Sequence, residues 1–385
     1  MTPHRFRSAL AARLLHISKA PLALALLALS GCEGQKTIQC IDWDSDLGAC
    51  LSREEALEEM KLSESCSTVH HSVDSDATEK DGECCYEVTV VDECCYGNSC
   101  AVEGRPLVVD GVSLLAPAVR GDTGWPSAQE PPRASSEEAS PPTDRERALL
   151  AEMWLRAARQ EHASIASFGR FALELLAFGA PPALVTAAHA AAIDEVRHAR
   201  ACFALASRYA GEPVGPGAFP LPSPLPTAGD LAALAAGVVE EGCVGETIAA
   251  LFAAEQRANA SDPEVCAALE AITREEAQHA ELAWATLRWA LATGGEPVRR
   301  AAEEAFSRAA RRIGAAKGEA PLPDVRPEVV AAHGRLPAGV FSRVASQALS
   351  EVLLPCARAM GVLHGRGAGS MASPSTREPA GGILA

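Results

Sequence analysis

Six residues restrict what this 385-residue chain can fold into more than any other feature. Two Glu-x-x-His pairs, Glu195 with His198 and Glu276 with His279, lie 81 residues apart, and Glu161 and Glu246 precede them by 34 and 30 residues. Three residues apart on a helix, the members of each pair share a face, about 60° from each other. Either pair could grip one metal ion. The neighbours of each glutamate at helical spacing are apolar or small: Leu184, Ala188, Ala191 and Cys202 near Glu195, Leu269, Ile272, Ala280 and Ala283 near Glu276, and Trp154, Ala158, Ile165 and Phe168 near Glu161. These acids point into a helical core, where an unpaired carboxylate is strongly unfavourable. Two divalent cations balance four carboxylates, and two neutral imidazoles complete the coordination. Mixed O and N donors suit iron or manganese, whereas a closed structural zinc site favours Cys and His. The competing reading is an ordinary bundle with solvated, protonated or salt-bridged acids; the repetition of the pair at matched spacing weighs against it.

The rest of this region reads as four long helices. Thr143 and Asp144 cap the first, which runs to Phe178 and stops at Gly179. Pro181 and Pro182 open the second, which continues to about Tyr209. Residues 214–227 are proline-rich and form a non-helical crossover. Asp230 opens the third helix, and Ser261 or Asp262 with Pro263 opens the fourth, which ends near Ala292 before Gly294-Gly295. Further helices are expected at 296–313 and 339–360, as braces without ligands. The third helix carries Glu240, Glu241 and Glu246. The turn at 259–263 lies about fifteen residues before Glu276, and an equal distance back falls near Glu246, so Glu246 is the first choice and Glu241 the second.

The motifs Glu161-His162-Ala163-Ser164, Asp194-Glu195-Val196-Arg197-His198, Glu241-Gly242-Cys243-Val244-Gly245-Glu246-Thr247 and Glu275-Glu276-Ala277-Gln278-His279 resemble those of the ferritin-like superfamily over about residues 145–293. Its di-iron members take one Glu from each of two helices and a Glu-x-x-His from each of the other two. The resemblance implies a mainly α chain with a ferritin-like four-helix bundle. It further implies two iron ions, or manganese, held by Glu161, Glu195, His198, Glu246, Glu276 and His279. The third motif looks like that of the tRNA isopentenyl-adenosine hydroxylases, which also place two glutamates five apart.

Other polar residues read as bystanders. His189 is a packing or surface histidine, His162 is turned about 100° from Glu161, and His333 and His364 face solvent beside glycine breaks. Cys202, Cys243, Cys266 and Cys356 stand singly in apolar helices as small core residues, with Cys243 three positions from Glu246.

Arg5, Arg7, Arg13 and Lys19 form a positive region ahead of an apolar run from Pro21 to Leu29 and the sequence Leu29-Ser30-Gly31-Cys32, the pattern of a bacterial export signal. The last four residues resemble a lipobox, which implies acylation of Cys32, a membrane partner through that lipid, and a place in the bacterial cell envelope outside the cytoplasm. Losing the four positive charges of residues 1–31 moves the net charge from -16 to -20, and so acidic a protein is expected to avoid nucleic acid; a chain exported and tethered outside the cytoplasm does not meet tRNA, so that substrate is not carried over. Eight cysteines at Cys40, Cys50, Cys66, Cys84, Cys85, Cys94, Cys95 and Cys100 read as a disulfide framework, with a metal site as the alternative and pairings left open. Strands are expected at 88–91 and 107–109.

The expected organisation is thus a signal peptide at 1–31, a cysteine-rich small domain at 32–115, a Pro/Ser/Glu-rich linker at 116–143, the bundle at 144–293, accessory helices at 294–362 and a disordered tail at 363–385. Three functions follow: a di-iron oxidase or oxygenase using dioxygen or peroxide on an unknown substrate with an external electron donor, an iron-binding or peroxide-scavenging envelope protein, and a metal-free structural lipoprotein. Oligomeric state is left open.

Overall fold

The computed structural model describes residues 1–19, 35–42, 50, 52, 56, 69–73, 75–80, 83–91, 105–109, 111–125, 141–315, 325–336 and 339–363. Over these residues the chain is mainly helical. The apolar run at 21–29, Cys32, His364 and the tail at 364–385 lie outside them, as do Cys66, Cys94, Cys95 and Cys100.

Helix α1 (Pro3–Ser18) carries Arg5, Arg7 and Arg13 of the positive region assigned to the export signal, and Lys19 is its C-cap. It packs on the helical body: Leu10 and Leu14 are buried, Arg7 pairs with Glu351 at 2.7 Å, and Arg13 pairs with Glu281 at 2.5 Å. Among the described residues no helix is long and apolar enough to cross a membrane.

The cysteine-rich part is an antiparallel sheet of β1 (Gln35–Asp42), β2 (Val69–Val73), β3 (Thr78–Lys80) and β4 (Glu83–Val91), all pairing with the central β4. Cys50 and Cys84 form a disulfide, and Cys40 stands opposite Cys85 in the ladder. The expected strand at 88–91 is the end of β4, and that at 107–109 is β5 (Val108–Val109), paired with β6 (Val112–Ser113).

One boundary differs from the expectation. The linker expected to begin at 116 is docked structure as far as Trp125: β7 (Ala118–Arg120) pairs with β8 (Val214–Pro216) in the proline-rich crossover, and the Ala116 carbonyl accepts from Arg159 at 2.8 Å. Backbone pairing to a partner about a hundred positions away is what composition alone misses.

Helix α2 (Asp144–Ala177) starts with a capping box between Thr143 and Glu146. A short turn leads into α3 (Pro182–Ala210), packed along α2. The next arm comprises α4 (Leu231–Gly237), a π-helical segment (Val238–Glu246) and α5 (Thr247–Asn259), and it packs on α6 (Pro263–Ala315). Helix α6 bends where Gly295 takes φ 59°, so the fourth and fifth expected helices are two arms of one kinked rod. Gly242 lets the π segment touch α6, since a Cβ there would lie 2.6 Å from the Ala283 Cβ. The chain ends in α7 (Pro327–Ala332), α8 (Val340–Ala348) and, after a π turn, α9 (Leu354–Ala359).

His333 is not solvent-facing as expected. It is half-buried, with Nδ1 2.8 Å from the Tyr209 hydroxyl, and its carbonyl accepts from Trp154 Nε1 at 3.3 Å. The glycine break beside it folds back onto the helices rather than outward.

The cap of α2 generates a testable consequence. The Arg326 guanidinium, with Thr143, holds the buried Glu146 carboxyl well below its ordinary 4.5. A folded value below the unfolded one adds stability that is complete above pH 4.5 and is lost as pH falls. Glu146→Ala should therefore cost about 1 kcal/mol at neutral pH, with the gap to the parent narrowing in acid; denaturant titrations at both pH values measure it, and a pH-independent gap contradicts the ion-pair account.

Candidate metal centre

Four helical segments converge on one buried cluster. Helix α2 supplies Glu161, α3 supplies Glu195 and His198, the π segment ends on Glu246, and α6 supplies Glu276 and His279; none is more than 2% exposed. Two overlapping groups could each hold a metal ion, their donor atoms within 4.8 Å of one another: Glu161, Glu195, His198 and Glu276, and Glu246, Glu276 and His279.

Both imidazoles turn Nδ1 inward, and their ring centres lie 5.9 Å apart. His198 Nδ1 lies 3.7 Å from Glu195 Oε2 and 3.5 Å from Glu276 Oε1. His279 Nδ1 lies 3.2 Å from Glu195 Oε1 and 3.6 Å from Glu276 Oε2. Each of these two glutamates thus presents one oxygen to each half of the cluster. Glu161 lies at the His198 end, 3.8 Å away, and Glu246 belongs to the His279 end.

The inward atoms have no hydrogen-bond partner: Glu161 Oε2, both oxygens of Glu195, Glu246 and Glu276, and Nδ1 of both histidines are buried and unsatisfied. Buried polar atoms are almost always satisfied, so this concentration of unsatisfied donors at one point is what a site able to hold a metal ion would present. Hard carboxylate oxygens with two imidazoles fit a first-row divalent metal.

The outward faces are satisfied. His198 Nε2 lies 2.9 Å from Glu275 Oε2, and His279 Nε2 lies 3.3 Å from Asp194 Oδ2. Each acid immediately precedes a cluster glutamate, and the roughly 100° step between helical neighbours carries it to the facing helix's histidine. This crossed pair holds each ring with Nδ1 aimed inward, as carboxylates behind metal-bound histidines do. Sequence reasoning missed both roles, although the doublets Asp194-Glu195 and Glu275-Glu276 were visible. Arg197 pairs with Asp194 and lies 3.5 Å from Glu275, which also accepts from Arg274 at 2.8 Å.

Burial and close mutual contact shift the protonation of every group in the cluster. Burial, then the charge of Glu195, pushes the Glu161 carboxyl well up, and burial with Glu276 does the same to Glu246. Burial also opposes ionisation of Glu195 and Glu276, but the two histidines hold both below the ordinary carboxylate range. Burial pulls His198 and His279 down, yet the surrounding carboxylates keep both raised.

The three acids of the third arm have separate fates. Glu246 lies in the cluster; Glu241, the second choice, accepts from Arg105 at 3.1 Å and from Arg170 at 2.6 and 2.9 Å instead; Glu240 pairs with Arg308 at the surface. In an α-helix, residues five apart diverge by about 140°. The π segment, bonded i to i+5, brings Glu241 and Glu246 to nearly one face, and the two arginines remove Glu241.

Of the remaining residues, His189 is exposed and His162 packs against Trp125 at 4.8 Å, away from the cluster. Cys202, Cys243 and Cys356 are buried free thiols and Cys266 is half-buried. Burial pushes the Cys243 thiol well up, which keeps it protonated and unlike a metal ligand. A narrow cavity lined by Trp154, Phe252, Gln256, Leu269 and Ile272 reaches Glu161 and Glu276, while the Phe168 ring stands against His279 at 5.0 Å. Compared with protein-family models, curated proteins and solved structures, the chain matches none.

A protonated acid buried without a partner subtracts from stability. Glu246→Leu should raise the unfolding free energy of the metal-free chain by about 1–3 kcal/mol, measured by denaturant titration in chelator; a decrease would mean that the fold itself satisfies Glu246.

Proposed function

We propose that the helical body is a ferritin-like four-helix bundle holding two iron ions and that it works as an oxidase or oxygenase on dioxygen or peroxide. The observation that supports this is the set of orphaned donor atoms, with Glu195 and Glu276 each directing one oxygen to either half of the cluster. In this reading Glu161, Glu195, His198, Glu246, Glu276 and His279 would hold the ions, with Glu161 on the His198 side of the cluster and Glu246 on the His279 side. A pair of iron ions so held supplies reversible electron exchange with oxygen or peroxide. Glu275 and Asp194, each facing an Nε2, hold the imidazole rings with Nδ1 aimed inward, and the cavity beside the cluster is walled largely by apolar side chains. Electrons come from an external donor. The reading keeps the chain in the bacterial envelope, tethered through a lipid on Cys32.

One observation favours a second reading. The cavity beside Glu161 and Glu276 is apolar apart from Gln256 and the acids themselves, and it offers few groups to orient a polar organic substrate. That suits a centre that binds iron or consumes peroxide and needs no organic substrate. The metal-free structural reading leaves the orphaned acids without a purpose.

Metal analysis of the purified chain should find two ions per molecule. Because the ligands must lose their protons, loading should weaken as pH falls. Glu195→Ala with His198→Ala should abolish loading, and undiminished iron in that variant refutes the ligand assignment. Oxygen and peroxide consumption by the iron-loaded chain then separates the two active readings: acceleration by an organic compound supports the oxidase or oxygenase, and turnover indifferent to every compound tried supports the scavenger.

A further inference from the structure

The segment between the cysteine-rich sheet and the helices reaches the centre through one side chain. The Arg105 guanidinium is 3% exposed, its backbone N–H donates to Ser164 Oγ at 2.9 Å, and its Nε donates to Glu241 Oε2 at 3.1 Å. Its Cζ lies 5.2 Å from the Phe168 ring centre and 4.4 Å from that of Phe171. From α2, Arg170 grips both Glu241 oxygens and also donates to the Val108 carbonyl at 3.0 Å, which ties the same segment down. Arg105 therefore touches two residues that each stand one step from a donor. Glu241 shares the π segment with Glu246, and Phe168 stands edge-on to His279.

Arg170 alone could neutralise the Glu241 charge. What Arg105 adds is direction. The π register aims Glu241 toward the same side as Glu246, where a fifth carboxylate would compete for the ions and unbalance the charge. A rigid guanidinium fork beside it fixes the carboxylate off the cluster, and its stacking on Phe168 braces the ring against His279.

We propose that Arg105 is a positioning residue of the metal centre, holding Glu241 away from the donor carboxylates while the π segment presents Glu246. This rests on the metal-centre reading and extends it, making the segment before the helices part of the site.

The test is a cobalt(II) titration of the full-length chain, read by visible ligand-field absorption and by competition with a chelator. R105Q should bind cobalt about 10- to 100-fold more weakly, with an altered absorption band, and R105K should recover part of the loss. R105Q/E241Q should return toward parental affinity, because the intruding carboxylate is gone. Parental affinity and spectrum in R105Q overturn the proposal, whatever happens to its unfolding midpoint, since a merely structural arginine would change stability alone. If R105Q does not fold, the double variant decides: folded with parental affinity supports the proposal, and folded with weakened affinity overturns it. A parent chain that binds no cobalt overturns the metal-centre reading itself, a failure seen before any variant is made.

Discussion

Four carboxyl groups facing one another without hydrogen-bond partners are the constraint around which this helical body is organised. Water is shut out by Trp154, Phe168, Leu269 and the alanines of α2, α3 and α6. In such surroundings charge repulsion is screened weakly and each ionised group must be balanced close by. The structure meets this in layers of alternating sign. Innermost are Glu161, Glu195, Glu246 and Glu276, then the imidazoles of His198 and His279, then Asp194 and Glu275, and outermost Arg197 and Arg274 near the surface. Among the described residues the inward oxygens of the innermost acids and the Nδ1 atoms of both imidazoles lack hydrogen-bond partners, while the outward Nε2 atoms meet Glu275 and Asp194.

How much of this is legible in the sequence depends on the range of the interaction. The two Glu-x-x-His pairs were readable because they obey the local period of an α-helix, and the apolar neighbours at the same period showed that they point inward. Glu246 could be chosen only by hairpin arithmetic, since an α-helical wheel gives Glu241 an equally apolar face; the π segment that separates the two is a backbone state no spacing rule indicated. Asp194 and Glu275 were in view as doublets, but their partners lie on the facing helix. Arg105, the strand pairing of 118–120 with 214–216 and the burial of His333 against Tyr209 depend on contacts far apart in sequence, and composition placed each of them wrongly or not at all.

The π segment shows why local regularity gave way at this point. A continuous α-helix over 231–259 would turn Glu241 and Glu246 to different sides of the arm. With the wider register both acids come to the packed side, where one joins the cluster and the other finds two guanidinium groups. Gly242 lies between them, against Ala283 of α6, at a separation that leaves no room for a side chain. The close approach of the π segment to α6 and the presentation of Glu246 are therefore one feature, and a bulkier residue at 242 would push the whole arm away from His279.

The same layering decides where the cost of the site falls. Donors free to relax would pair with one another or turn to solvent, and a binding ion would have to undo those contacts. Here the crossed acids fix the imidazoles, the helices fix the glutamates, and the strap carrying Arg105 fixes the one acid that could intrude. The free energy of gathering the donors is thus spent in folding, where it lowers the stability of the metal-free chain, rather than at the moment of binding. An ion that binds only the folded state returns stability in proportion to its concentration and affinity. It follows that the centre and the fold are linked quantities: whatever tightens the outer layers without touching the inner four acids strengthens binding and fold together, while removing an inner acid strengthens the empty fold at the expense of binding.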